Sequence, residues 1–277
     1  MPRVSRREKA VRLALAGVAI FWSAFPIYLV IASSFKDPRT IFEVPPRFIF
    51  TPTLDNYRSL WRLWPEFFDN LLNSIIITLG ATLVTVFASS LAGYVYSRYR
   101  SRLLTASAFF MLFVRMLPPI IVTLPLFPIV NYLSLNDTHI LLVFLYATFF
   151  VSLSTWIMKA FIDAIPRELE EAARIDGANL WMIIVAVVLP LAIHGIIASS
   201  IFVFVYSWNE FIFALIFTTH NAKTAPLVLS EILGTVEGVD WGILFAAATV
   251  QLVPIVVFVI AVQKYVIAGL TSGGVKA

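Results

Sequence analysis

Residues 13–35 read LALAGVAIFWSAFPIYLVIASSF, 23 positions without a formal charge, directly behind Arg3, Arg6, Arg7, Lys9 and Arg12. Wound as a helix at about 1.5 Å per residue, such a run spans a hydrocarbon core about 30 Å thick. The apolar part of a cleaved secretion signal is shorter, roughly 7–15 residues, and leads to a small-residue cleavage site. The run is therefore expected to be a retained first membrane span.

Five more stretches have the same character. Residues 71–97, 140–158 and 241–263 carry no formal charge, 103–130 carries only Arg115, and 190–219 carries only Glu210. None alternates with the period of two that marks a barrel strand. In lipid the backbone must satisfy its own hydrogen bonds, which leaves helices. The expectation is an all-α, polytopic membrane protein with six transmembrane helices, organised as one domain over 1–277. Composition agrees, with 60% hydrophobic and 13% charged residues and a mean hydropathy of +0.90. A soluble domain is about one quarter charged.

Lys and Arg in the connections set the orientation. With the N-terminus inside, segments 1–12, 98–102, 159–189 and 264–277 hold 13 basic residues, whereas 36–70, 131–139 and 220–240 hold 6. The bias places both termini in the cytoplasm. The net charge of +4 thus reads as membrane topology, and no nucleic-acid partner is expected.

The connection from about 163 to 189 is unlike an ordinary loop. Pro166 suits the first position of a helix, and Glu168, Glu170 and Glu171 fall in its first turn, where the dipole favours anions. Gly177 can take positive φ and end the helix. A second helix is expected from near Leu180, running on into the fifth span. Leu169, Ala172, Ala173 and Asp176 share one face of the first helix. Two readings fit that face, a solvated surface or a docking surface for a partner.

Glu171-Ala172-Ala173, three residues, Gly177, nine residues, then Val187-Val188-Leu189-Pro190 resembles the cytoplasmic signature of ABC importer permeases. Val187 stands where Ile is usual, and His194 where a Pro often follows. Leu54-Asp55-Asn56-Tyr57, Asn73-Ser74, Arg115-Met116-Leu117-Pro118-Pro119, Trp208-Asn209-Glu210-Phe211 and the closing Gly269 to Lys276 are similar to the carbohydrate-uptake branch, in its smaller, six-helix subunit. The resemblance implies a type I importer permease fold in the cytoplasmic (inner) membrane of a bacterium or archaeon. It implies that residues 163–189 form coupling helices, with Glu171, Ala172, Ala173, Asp176, Gly177, Leu189 and Pro190 meeting a groove of an ATPase. It also implies partners: two ATP-binding subunits, a second permease subunit and an extracytoplasmic solute-binding protein. The expected activity is alternating-access import of a sugar or polyol, with another solute such as glycerol phosphate as the alternative.

The chain carries little that could do chemistry itself. It has no Cys, and His139, His194 and His220 are dispersed, without metal-site spacing. Gly269 and Gly274 have phosphate-loop spacing, but Val275, Lys276 and Ala277 follow where Gly-Lys-Ser/Thr is needed. No cofactor and no catalytic residue are expected, so an enzyme or scaffold is the weaker alternative. Polar groups at membrane depth face cavities or neighbouring helices. Arg115, Trp208, Asn209, Glu210 and Gln251, with Tyr206, are candidates for the solute pathway, and a polar clamp between helices fits them equally. Pro118, Pro119, Pro125 and Pro128 should kink the third span.

Overall fold

In the computed structural model, residues 6–234 and 238–273 are described, with side chains for 7–234 and 238–265. The helices are α1 (Arg6–Ser34), α2 (Asp55–Leu63), α3 (Glu66–Arg98), α4 (Arg102–Arg115), α5 (Pro119–Tyr132) and α6 (His139–Asp163). They continue with α7 (Glu168–Ile175), α8 (Leu180–Leu191), α9 (Ile193–Trp208), α10 (Ile212–Phe217), α11 (Ala225–Leu233) and α12 (Trp241–Gly273). Residues 274–277 of the closing segment lie outside the described residues.

Segments within α1, α3, α6 and α12 are each long and apolar enough to cross a membrane unbroken. Two bent pairs, α4 with α5 and α8 with α9, bring the crossings to six when each pair counts as one. The spans expected at 103–130 and 190–219 are therefore corrected. The first bends by 96° between Arg115 and Pro119. Pro118 takes ψ 136°, as a residue ahead of a proline must, and Pro119 opens α5. The kink expected from proline density is there, as a full corner.

The second correction concerns the helix from Leu180, which does not run on into the fifth span. It winds as a π-helix over Ile183–Val188, where the Leu189 amide reaches back to the Ile184 carbonyl. Pro190 offers no amide, Ala192 takes φ −87° and ψ 13°, and α9 leaves at 77°. α9 ends at Trp208, and α10 is a separate short helix inside the run expected as one span. Pro166 also stands two residues ahead of α7, which begins at Glu168.

The chain forms two compact units. One comprises residues 1–67 and 229–253. In it the buried Asn56 Nδ2 donates to the carbonyls of Ser34 (2.8 Å) and Lys36 (2.7 Å), tying the loop after α1 to α2. A Cβ at Gly242 would stand 2.3 Å from the Asn56 oxygen, so glycine is what admits that side chain. The other unit comprises residues 68–228 and 254–277. Its main core joins Ile77 and Ala81 of α3, Leu142, Tyr146 and Phe150 of α6, Val203 of α9, and Phe213 and Phe217 of α10. Hydroxyls in these apolar helices satisfy themselves on their own backbone, as Thr155 does on Val151 at 2.7 Å.

A carboxylate closes one end of the second unit. Asp137, at φ 58°, accepts hydrogen bonds from the amides of Thr219, His220, Asn221 and Ala222 and from the Thr219 hydroxyl. Its own amide donates to the Phe217 carbonyl at 2.8 Å. Burial opposes ionisation here, but the amides of Asn221, Thr219, Ala222 and His220 outweigh it and hold the carboxyl well below its ordinary range. A depressed folded pKa gives stability that is complete above the unfolded value of about 3.9 and is lost as pH falls through the folded value. Asp137→Ala is thus expected to cost about 2 kcal/mol at pH 7. Thermal unfolding in detergent checks this, and the difference between variant and parent should begin to shrink as pH falls below about 4 and go on shrinking as it falls further.

Candidate functional site

Sequence dictates a helix, a tight turn and a second helix around Gly177. Glu168, Glu170 and Glu171 occupy the first turn of α7, and Arg174 its last. Gly177 has φ +87°, a conformation that costs a Cβ-bearing residue about 1 kcal/mol or more. Its amide donates to the Arg174 carbonyl, and the Ala178 amide to the Ala173 carbonyl, which together close a Schellman turn. Asn179 then caps α8, its side-chain oxygen accepting from the Met182 amide at 2.9 Å.

The inner side of this helical hairpin is fastened to the second unit. Glu170 accepts from Arg98 Nε at 2.5 Å and from the Tyr94 hydroxyl at 2.9 Å, both on α3. The Arg98 and Glu170 side chains are only 8% and 7% exposed, so the pair is screened from water. Arg98 also donates to the Ile165 carbonyl, and Arg167 to the carbonyls of Ser97 and Arg98. Tyr94, Met158, Ile162, Ile183 and Val188 form an apolar core beneath, with Ala173, Ala178 and Leu189 packed on it. Gly93 lets α3 approach the backbone of α6 at Met158–Lys159, and Gly195 lets α9 meet Phe161.

The outer side carries Leu169, Glu171, Ala172, Ile175, Asp176 and Gly177, all exposed. Pro190 is exposed as well, while Ala173 and Leu189 are half-buried. Glu171 makes no ion pair among the described residues. The three neighbouring glutamates thus differ sharply: Glu170 is turned inward and locked, and Glu168 and Glu171 face out. Sequence reading missed Glu170, Arg98 and Tyr94, because nothing local distinguishes one glutamate of such a run from the next.

The polar groups at membrane depth do not form one cluster. Arg115 borders a cavity of 410 Å³ between α4, α5 and α6, walled by Phe110, Val122, Leu126, Leu145 and Phe149. Its guanidinium lies 5.2 Å from the centre of the Phe202 ring, and Phe202 leans on Tyr206 at 4.5 Å. Trp208 is buried and stacks on Phe204 at 6.1 Å. The Asn209 side chain donates to the Val205 carbonyl at 2.8 Å. The Glu210 carboxylate accepts from the amides of Phe213 (3.0 Å) and Ala214 (3.4 Å), capping α10. Gln251 belongs to the other unit, with its side-chain oxygen buried and unpaired among the described residues. Among the described residues no group of His, Asp and Glu could hold a metal.

Adjacent glutamates should therefore respond oppositely to the same change. Glu170→Ala leaves the Arg98 charge buried without a counter-charge and is expected to cost about 3 kcal/mol or more. Glu171→Ala is expected to stay within about 1 kcal/mol. Denaturation of both purified variants reads the contrast, and equal losses would refute the locked arrangement.

Known proteins carry the same plan. The chain is 36% identical over 257 residues to a trehalose/maltose transport system permease protein, MalG, of Thermococcus litoralis, covering 91% of each chain. It is 34% identical to the trehalose transport system permease protein SugB of Mycobacterium tuberculosis, covering 94% of each. It is 30% identical to the sulfoquinovosyl glycerol transport system permease protein SmoH of Agrobacterium fabrum, covering 97% of this chain and 94% of that one. A crystal structure of a bacterial ABC transporter involved in the import of alginate contains a chain of the same fold, at TM-score 0.76 and 20% identity, over 96% of this chain and 99% of that one. Residues 84–272 match the model of the binding-protein-dependent transport system inner membrane components. The chain belongs to that family and is a permease subunit of an ABC importer, a transport protein rather than an enzyme.

Proposed function

We propose that this permease imports a carbohydrate or polyol. It does so as the smaller of two permease subunits, served by two ATP-binding subunits and an extracytoplasmic binding protein. The single observation that carries the coupling part is the two-sided build of α7: an inner face locked to α3 and an outer face left open around Glu171, Ala172 and Asp176. A partner seated on the open face can push on α3 through the locked face. The small Ala172 admits close approach, and Glu171 and Asp176 suit basic groups in the partner's groove. Ala173, Leu189 and Pro190 support that surface from behind and from α8.

The carbohydrate part rests on relatives whose names specify trehalose, maltose and sulfoquinovosyl glycerol. Arg115, Phe202 and Tyr206 offer the combination a sugar uses, aromatic faces beside a hydrogen-bond donor. Trp208, Asn209 and Glu210 remain candidates for the same route, Glu210 now with α10 depending on it, and Gln251, in the other unit, remains a candidate by itself. The α7 end is taken as the cytoplasmic side, with both termini there, on the distribution of basic residues.

The chain has no Cys, so one introduced thiol reports on this face without background. Ala172→Cys should react with a membrane-impermeant maleimide in inside-out vesicles only, and assembly with the ATPase subunit should protect it. Glu171→Lys should abolish that protection and lower co-purification of the ATPase while the chain remains inserted. Labelling from the outer side would overturn the orientation. Undiminished protection in Glu171→Lys would remove the coupling role of Glu171.

A further inference from the structure

A cavity of 1310 Å³ in the second unit lies beside the anchored hairpin, apart from the residues proposed above for coupling and for the solute route. Its walls are the end of α3, the start of α4, the end of α6 and the lead-in to α7, all on the α7 side of the membrane. The lining is graded. Toward the aqueous end it presents Arg98, Arg100, Arg102, Lys159 and Arg167 against Asp163 and Glu168. Toward the membrane it presents Leu104, Ala108, Phe109 and Trp156, with the Phe109 and Trp156 rings 6.4 Å apart.

Charge pairing within the cavity leaves cations over. Arg98 is committed to Glu170, and Lys159 to Asp163 at 2.5 Å. Arg167 donates to the backbone carbonyls of Ser97 and Arg98. Arg100 and Arg102 are exposed and make no ion pair or side-chain hydrogen bond among the described residues. They flank Ser101, whose hydroxyl caps α4, so the positive end of a 14-residue helix adds to their field.

We infer that this cavity is a binding site for an anionic phospholipid, its phosphate held by Arg100 and Arg102 and its acyl chains lying along Leu104, Phe109 and Trp156. The apolar wall distinguishes a lipid from a free anion, which has no use for it. The position gives the lipid leverage, because Pro166, Arg167 and Glu168 line the same cavity and lead directly into α7. A lipid seated there braces the root of the coupling hairpin from the side opposite its docking face. The inference needs only the geometry of this end of the chain, so it stands or falls independently of which solute is carried.

The test is native mass spectrometry of the purified full chain in detergent. It is titrated with phosphatidylglycerol or phosphatidylcholine of identical acyl chains. The parent chain should retain phosphatidylglycerol preferentially. Each basic residue near a lipid phosphate contributes about fivefold. Arg100→Gln with Arg102→Gln should therefore lower that preference by about 25-fold, whereas Arg12→Gln, a basic residue outside the cavity, should leave it unchanged. Equal retention of both lipids by the parent, or an unchanged preference in the double variant, would overturn the site. Displacement of phosphatidylglycerol by millimolar inorganic phosphate would overturn the lipid in favour of a free anion. Displacement by the ATPase subunit on assembly would overturn it in favour of a protein contact.

Discussion

A guanidinium and a carboxylate 2.5 Å apart, each on a side chain less than a tenth exposed, give α7 its place. α7 is only eight residues long, too short to persist alone in water. Its N-terminal carboxylates and its Schellman turn help, but neither fixes where the helix sits. The Arg98–Glu170 pair does, with the Tyr94 hydroxyl as a third partner. Removing two charges from water costs several kcal/mol per ion, and their attraction does little more than offset it. Such a pair is poor as glue and good as a locating pin, because any arrangement that separates the charges leaves one buried alone.

That pin has a mechanical consequence. α3 is 33 residues long, about 50 Å as a straight helix, and Arg98 is its last residue. Beneath the pin, Gly93 allows the backbones of α3 and α6 to touch, and Met158 and Ile162 fill the remaining space with Ile183 and Val188 of α8. A displacement applied to the exposed face of α7 is thus handed to spans that run through the bilayer. The two sharp bends of the chain lie elsewhere, at the 96° corner before Pro119 and the 77° corner at Ala192. The anchored hairpin and the two corners thus occupy separate parts of the chain.

Much of this was legible in the sequence. The uncharged runs show the crossings, because charge in lipid is costly enough to be conspicuous by its absence. Gly177 announces its positive φ, since it follows a helical pattern and precedes another. The corner at Pro118–Pro119 was visible as proline density. The corner at Ala192 was not, because it arises from a π-wound segment whose residues look like any apolar helix. Nor was the break at 209–211, where Glu210 reads as a lone buried acid and in fact caps a helix that hydropathy merges with its predecessor. Glu170 was hidden most completely. Its partner Arg98 lies 72 positions away, and only the folded chain shows which of three glutamates turns inward.

The central claim is that α7 and the end of α3 move as one body. Spin labels at Tyr99→Cys and Arg174→Cys, both exposed positions in a chain without native Cys, report that relation directly. Pulsed electron–electron distance measurement on the assembled importer, nucleotide-free and ATP-bound, should give one narrow distance that is the same in both states. A shift of about one helical turn, about 5 Å, between the two states would mean that α7 slides on α3, and the locating role of Arg98 and Glu170 would be contradicted.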